Sequence, residues 1–162
     1  MTTSSDCRGV PLSAESDDAL AAFDETVAHF MGLRADTGDV LKSVFEADPE
    51  MPMAHCLKGY FMKLMCGTAY EAKAKEASTA ANAFSAKYQV SDREQAHIDA
   101  LAAWAQGDLT SARDRWESIL INFPLDVLAL RLSHFIHFYL GDAPGLRDSV
   151  ARVYPCWDET VP

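Results

Sequence analysis

The sequence predicts an all-α protein: antiparallel helix pairs stacked as a tetratricopeptide-like right-handed solenoid of about eight helices. Three observations carry this. Apolar residues recur at helical spacing, and prolines and glycines fall between the periodic stretches rather than inside them. No run shows the period-2 β-branched pattern of a strand. The dipeptide Gly107-Asp108 returns as Gly141-Asp142 after 34 residues, the period of a helix-turn-helix repeat.

The first helix is expected after Ser13, with Leu20, Phe23, Val27, Phe30 and Met31 on one face and Gly32 at its end. The second follows Thr37 or Gly38, carries Val40, Leu41, Val44 and Phe45, and stops at Asp48-Pro49. The third begins near Pro52, a residue suited to a first helical turn, and runs to Gly67. The fourth, about Ala69 to Lys87, is rich in alanine. Its small face (Ala77, Ala80, Ala81, with Phe84) suits close approach to a neighbour. The fifth has the sharpest start, because Ser91-Asp92-Arg93-Glu94 spells a capping box. It ends at Gly107, a C-terminal glycine. The sixth runs from Leu109 to Asn122 and stops at Phe123-Pro124; the seventh spans Asp126 to Leu140; the eighth covers Pro144 to Val153 and ends at Tyr154-Pro155. Short links force successive helices to lie side by side. Residues 1–12 are expected as a disordered or extended arm, 13–155 as the repeat domain, and 156–162 as a tail.

The third pair shows the repeat best. With Arg93 as position 1, Ala100 falls at position 8, Ala112 at 20, Trp116 at 24 and Pro124 at 32. Small residues at 8 and 20 let the helices of a pair cross closely, the aromatic at 24 plugs the gap to the next unit, and the proline stops the second helix. Gly59 and His134 occupy position 8 of their own units.

At 162 residues, 49% of them hydrophobic, the chain is long enough to bury a core. No apolar run approaches the roughly 20 residues that cross a bilayer, and Met1 to Pro11 lacks the basic and apolar regions of a secretory signal. A cytoplasmic protein without membrane contact is the expectation. The formal charge of −10 argues against nucleic acid, which demands a basic surface. The charge is uneven: acids dominate Ser13 to Glu50, while lysines dominate Met51 to Val90. Partner selection is one reading and solvated helix faces the other. Cys7, Cys56, Cys66 and Cys156 show no paired spacing, so they read as reduced thiols, with Cys56 and Cys66 on a buried helix face.

The stretches REQAHIDALAAWAQGDLTSARDRWESIL (Arg93 to Leu120) and PLDVLALRLSHFIHFYLGDAPGLRDSVARVYPCW (Pro124 to Trp157) resemble the N-terminal part of the tetratricopeptide repeat protein 38 family. The resemblance reaches more weakly back to Leu12-Ser13. It implies a helical repeat fold, no established catalytic activity, no catalytic residues to carry over, and further repeats in a longer parent chain.

In stacked helix pairs the first helix of each pair lines the concave face. Positions 5, 9 and 12 place Cys56, Tyr60 and Lys63, then His97, Leu101 and Trp104, then Arg131, Phe135 and Phe138 in that groove. Aromatics and arginine dominate binding hot spots. A peptide or partner helix with an acidic or carboxylate end would suit Lys63 and Arg131. The other reading fills the groove with the first helix or with later repeats.

Two alternatives compete with a binding scaffold. The apolar end Tyr154-Pro155-Cys156-Trp157 suits a homodimer. His97, near Glu94 and Asp99, suits an oriented catalytic imidazole, and His134 with His137 at i, i+3 suits a metal. No nucleophile motif and no completing ligand accompany these histidines, so packed or hydrogen-bonded histidines are the better reading. Neither an enzyme nor a cofactor or metal is expected.

Overall fold

The computed structural model describes residues 2–161. Among them are eight α-helices: α1 (Asp17–Met31), α2 (Thr37–Ala47), α3 (Pro52–Leu64), α4 (Thr68–Lys87), α5 (Asp92–Ala105), α6 (Leu109–Asn122), α7 (Val127–Leu140) and α8 (Ala143–Val153). A short 3₁₀ turn, Tyr154–Cys156, follows α8. No described helix is long and apolar enough to cross a membrane.

Local chemistry sets the ends. The capping box of α5 is present in both directions between Ser91 and Glu94. Asp108, Asp126 and Asp142 cap α6, α7 and α8 through the amides of Ser111, Ala129 and Gly145. The 34-residue echo in the sequence is therefore an echo in structure. Gly107 and Gly141 both adopt left-handed backbone, at φ 87° and 69°, and the aspartate after each caps the next helix. The first helix starts later than its sequence suggests: Ser16, not Ser13, accepts from the Ala19 amide.

Each helix packs on its successor, α3 and α4 also hold α5, and α1 touches α7. One buried apolar cluster runs through all the helices except α8's outer face. Ala100 and Ala112 are fully buried within it. At Gly59 a Cβ would fall 2.6 Å from Leu101 Cδ2, so the bare glycine is what lets α3 reach α5. The small face of α4 is Ala74, Ala77, Ser78 and Ala81.

Trp116 stands edge-on to Tyr60 of α3, in the preceding pair, with ring centroids 5.5 Å apart. Two local expectations are corrected. His134 is exposed, and the small buried residues of α7 are Ala129 and Ser133. Cys66 is exposed rather than on a buried helix face, because α3 ends before it and the chain turns at φ 50°. All four cysteines are free thiols.

The N-terminal residues, expected as a disordered or extended arm, are extended and pair with one another. Strands β1 (Thr2–Ser5) and β2 (Pro11–Ala14) form an antiparallel hairpin with Thr2 opposite Ala14. The Asp6 carboxylate turns the chain by accepting from the amides of Arg8 and Val10. Leu12 and Ala14 enter the core, and β2 packs on α1, α3 and α5.

Candidate functional site

Beneath the hairpin lies a buried polar chain. Arg93 Nε stands 2.6 Å from Asp126 Oδ2, and the same oxygen is 3.0 Å from His97 Nε2. The Tyr60 hydroxyl donates to the His97 carbonyl at 2.7 Å and lies 3.1 Å from His97 Nδ1. Trp116 Nε1 donates to the Tyr60 hydroxyl at 3.3 Å. Burial alone would raise the Asp126 carboxyl, but Arg93 and His97 beside it outweigh that and hold it well below the usual carboxylate range. Burial pushes His97 below its ordinary value and Tyr60 well above its own. A neutral His97 thus keeps its proton on Nε2, against an acceptor-only carboxylate.

This geometry corrects the expected partner of His97, which is Asp126 and not Glu94. Asp126, 29 residues away, orients the ring. Glu94 is spent elsewhere: it receives the Ser13 amide and hydroxyl, each at 2.8 Å, as well as Ser91. His97 is fully buried. The chain of hydrogen bonds ties the hairpin, α3, α5, α6 and the start of α7 into one interior.

The same burial corrects the expected groove. Tyr60, His97, Leu101 and Trp104 belong to the core, because α3 and α5 bury their facing sides against each other and α6. Lys63 is half-buried and paired to Glu71 through both carboxylate oxygens, at 2.8 and 2.9 Å. Arg131 and Phe135 are half-buried, and Phe138 is exposed.

The open concavity lies elsewhere, where the C-terminal ends of the odd-numbered helices converge. A cavity of about 320 Å³ is walled by Phe30 of α1, Leu33 and Arg34 of the following turn, Phe61 and Leu64 of α3, and Phe135 with Tyr139 of α7. Across Tyr139 a second hollow of about 410 Å³ descends between Lys63, Glu71, Trp104 and Leu109. No family model matches this chain, and no solved structure does. The rim is apolar and open: Leu33 is 72% exposed, Tyr139 54% and Met65 49%. Leu33 and Cys66, one beside each hollow, hold left-handed backbone at φ 53° and 50°, a conformation that costs a residue with a Cβ energy.

Sequence reasoning found Lys63, Trp104 and Phe135 of these walls and missed Phe30, Leu33, Phe61 and Leu64. The i, i+4 spacing of Phe135 and Tyr139 was the available signal.

The histidine pair does not converge. His137 Nδ1 lies 2.8 Å from Asp142 and Nε2 lies 3.1 Å from Glu117, while His134 points to solvent. Glu117 also receives Ser133, Ser149 and Arg152, fastening α6 to α7 and α8. Burial works to raise the Glu117 carboxyl, and those bonds hold it below its ordinary value. Among the described residues no cluster of metal-ligating side chains forms.

Proposed function

We propose that the chain is a protein-interaction module: helix pairs stacked as a tetratricopeptide-like right-handed solenoid, with a groove that takes a peptide or partner helix. One observation carries the reading. Large apolar side chains that a monomer would bury (Leu33, Met65, Tyr139 and, next to it, Phe138) stand exposed around one concavity. Contiguous exposed apolar surface around a concave site marks interaction surfaces. The strained Leu33 supports it, because strain persists at ligand clamps. The resemblance of Arg93 to Leu120 and Pro124 to Trp157 to the tetratricopeptide repeat protein 38 family agrees with a repeat scaffold.

The test is a selection from a random-peptide display library against the purified chain and its Tyr139→Ala variant. The reading expects a recurrent apolar motif whose binding Tyr139→Ala weakens. Failure of any sequence to enrich, or enrichment indifferent to Tyr139, overturns it.

A second reading has its own observation. Val127, Leu130, Val150, Val153, Tyr154 and Trp157 line a wholly apolar hollow of about 340 Å³ at the α7–α8 end, and Tyr154 and Val150 are exposed. Self-association through this end predicts a dimer in sedimentation that Tyr154→Glu dissociates; a wild-type monomer at high concentration removes it.

A further inference from the structure

Arg34, Arg93, Arg113, Arg115, Arg147 and Arg152 each have a carboxylate within salt-bridge distance. Among the described residues two arginines, Arg8 and Arg131, lack one, in a chain whose formal charge is −10, and carry a buried Nε without a hydrogen-bond partner. Of the two, Arg131 is the one that stacks on a wall of the cavity. A guanidinium presents five donors in a planar fork, and leaving a buried one unmade is destabilising. The guanidinium carbon instead lies 4.7 Å from the centroid of the Phe135 ring, and Phe135 is a wall of the cavity. The side chain is half-buried, and its Nη nitrogens, unlike Nε, are not among the buried unpartnered atoms.

The surroundings set the sign of the charge that would meet it. No aspartate or glutamate lines the cavity. Glu71 lines the neighbouring hollow but is neutralised by Lys63. The fork of Arg34 is committed to Asp36, with Nε at 3.3 Å and Nη2 at 3.2 Å. One cation is therefore uncommitted beside an apolar cavity.

We propose that the occupant of the groove is a peptide with a carboxylate close to a large apolar side chain. The apolar side chain fills the cavity against Phe135 and Tyr139, and the carboxylate takes the Nη nitrogens of Arg131. Arginine–carboxylate pairs are planar, two-pronged and about twice as strong as neutral hydrogen bonds. Near an aromatic face and away from bulk water the pair gains further. An aspartate or glutamate side chain and a free C-terminus offer the same group. This proposal rests on the reading of the groove as a peptide site.

The test uses the sequences enriched by the display selection, made as synthetic peptides in three forms: acidic, with Asp and Glu changed to Asn and Gln, and with an amidated C-terminus. Wild-type protein should bind the acidic form about tenfold more tightly than the form that loses its carboxylate. Whichever substitution removes that preference identifies the side chain or the terminus as its source. Arg131→Gln should abolish the preference while leaving binding of the neutral form unchanged. Its melting temperature should be unchanged or raised, since no protein partner is lost. Enriched peptides that bind in a Tyr139-dependent way with no acid preference overturn this proposal and leave the peptide site standing. Absence of enrichment overturns both. A large fall in the melting temperature of Arg131→Gln makes Arg131 a structural residue and overturns the proposal as well.

Discussion

Arg93 and Asp126 meet in the interior with Nε 2.6 Å from Oδ2 and side chains only 3% and 0% exposed. Asp126 does three things at once: it neutralises the guanidinium, fixes His97, and caps α7 through the Ala129 amide. Arg93 extends the tie by donating to the Pro11 carbonyl of the hairpin at 3.0 Å. Asp126→Asn keeps the shape and leaves Arg93 buried without a counter-charge. The expected loss is about 3–5 kcal/mol of unfolding free energy in urea titration. Arg93→Met combined with Asp126→Leu should recover much of it, since a buried pair replaced by apolar residues is often neutral. A double variant as unstable as the single would contradict this account.

The pH dependence follows from the same residues. His97 is held below its ordinary value, so the unfolded chain binds a proton that the folded chain refuses. Stability then declines as pH falls below about 6.5, at up to about 1.4 kcal/mol per pH unit for each proton. Half-buried His55, lowered by partial desolvation, adds with the same sign. Asp126 and Glu117, both depressed, contribute stability that is present above the unfolded carboxylate value and lost as pH falls through their folded values. Urea midpoints from pH 8 to 3 should therefore fall in two limbs. His97→Asn should flatten the upper limb. A profile that keeps its full upper slope in that variant would show that His97 does not set it.

Gly59 faces Leu101 where α3 and α5 cross. A methyl there would lie 2.6 and 2.7 Å from the two Leu101 Cδ atoms, well inside contact distance, and Leu101 is fully buried with nowhere to go. Gly59→Ala should cost about 1–3 kcal/mol by overpacking, even though alanine is the better helix former by about 1 kcal/mol. Denaturant titration decides the sign: a stabilised variant would mean that the crossing is looser than the structure has it.

The helices were legible because their signals are local. Capping at Ser91, the glycine-aspartate turns and the proline stops each act within a few residues, and the helix ends fall where those residues stand. The hairpin was not, because Thr2 to Ser5 is polar and shows no alternation; only Asp6 and Gly9 hint at the turn. What fixes it is distant, namely Glu94 and Arg93 in α5. The groove failed for a related reason. Positions 5, 9 and 12 of the helices that open α3–α4 and α5–α6 are generic, whereas tertiary contact decides which faces α3 and α5 give to each other. Tyr60, His97 and Trp104 went inward as a result, and the open surface shifted to the helix ends.

Glu94 should control the hairpin. It accepts from Ser13 twice, across 81 residues of chain, and in the same place closes the α5 cap. Glu94→Ala removes the buried acceptor of those donors, at about 1–3 kcal/mol for each hydrogen bond lost. Hydrogen exchange should quicken first at residues 10–15 and at the start of α5, while α7 and α8 keep their protection. Uniform acceleration along the chain would mean that the hairpin is integral to global folding rather than a separable cover.

Leu33 sets stability against binding. Left-handed backbone costs an ordinary side chain about 1–2 kcal/mol, and Leu33 recovers little of that by burial because 72% of it is exposed. Asparagine tolerates this region without the extra chain entropy of glycine. Leu33→Asn should therefore raise unfolding free energy by about 0.5–1 kcal/mol, the opposite of the 2–5 kcal/mol loss that truncating a core leucine brings. The same substitution removes an apolar wall of the cavity, so affinity for peptides selected on the wild-type groove should fall. A variant that is both less stable and equally good at binding would show that Leu33 is held there by packing and has no part in the groove.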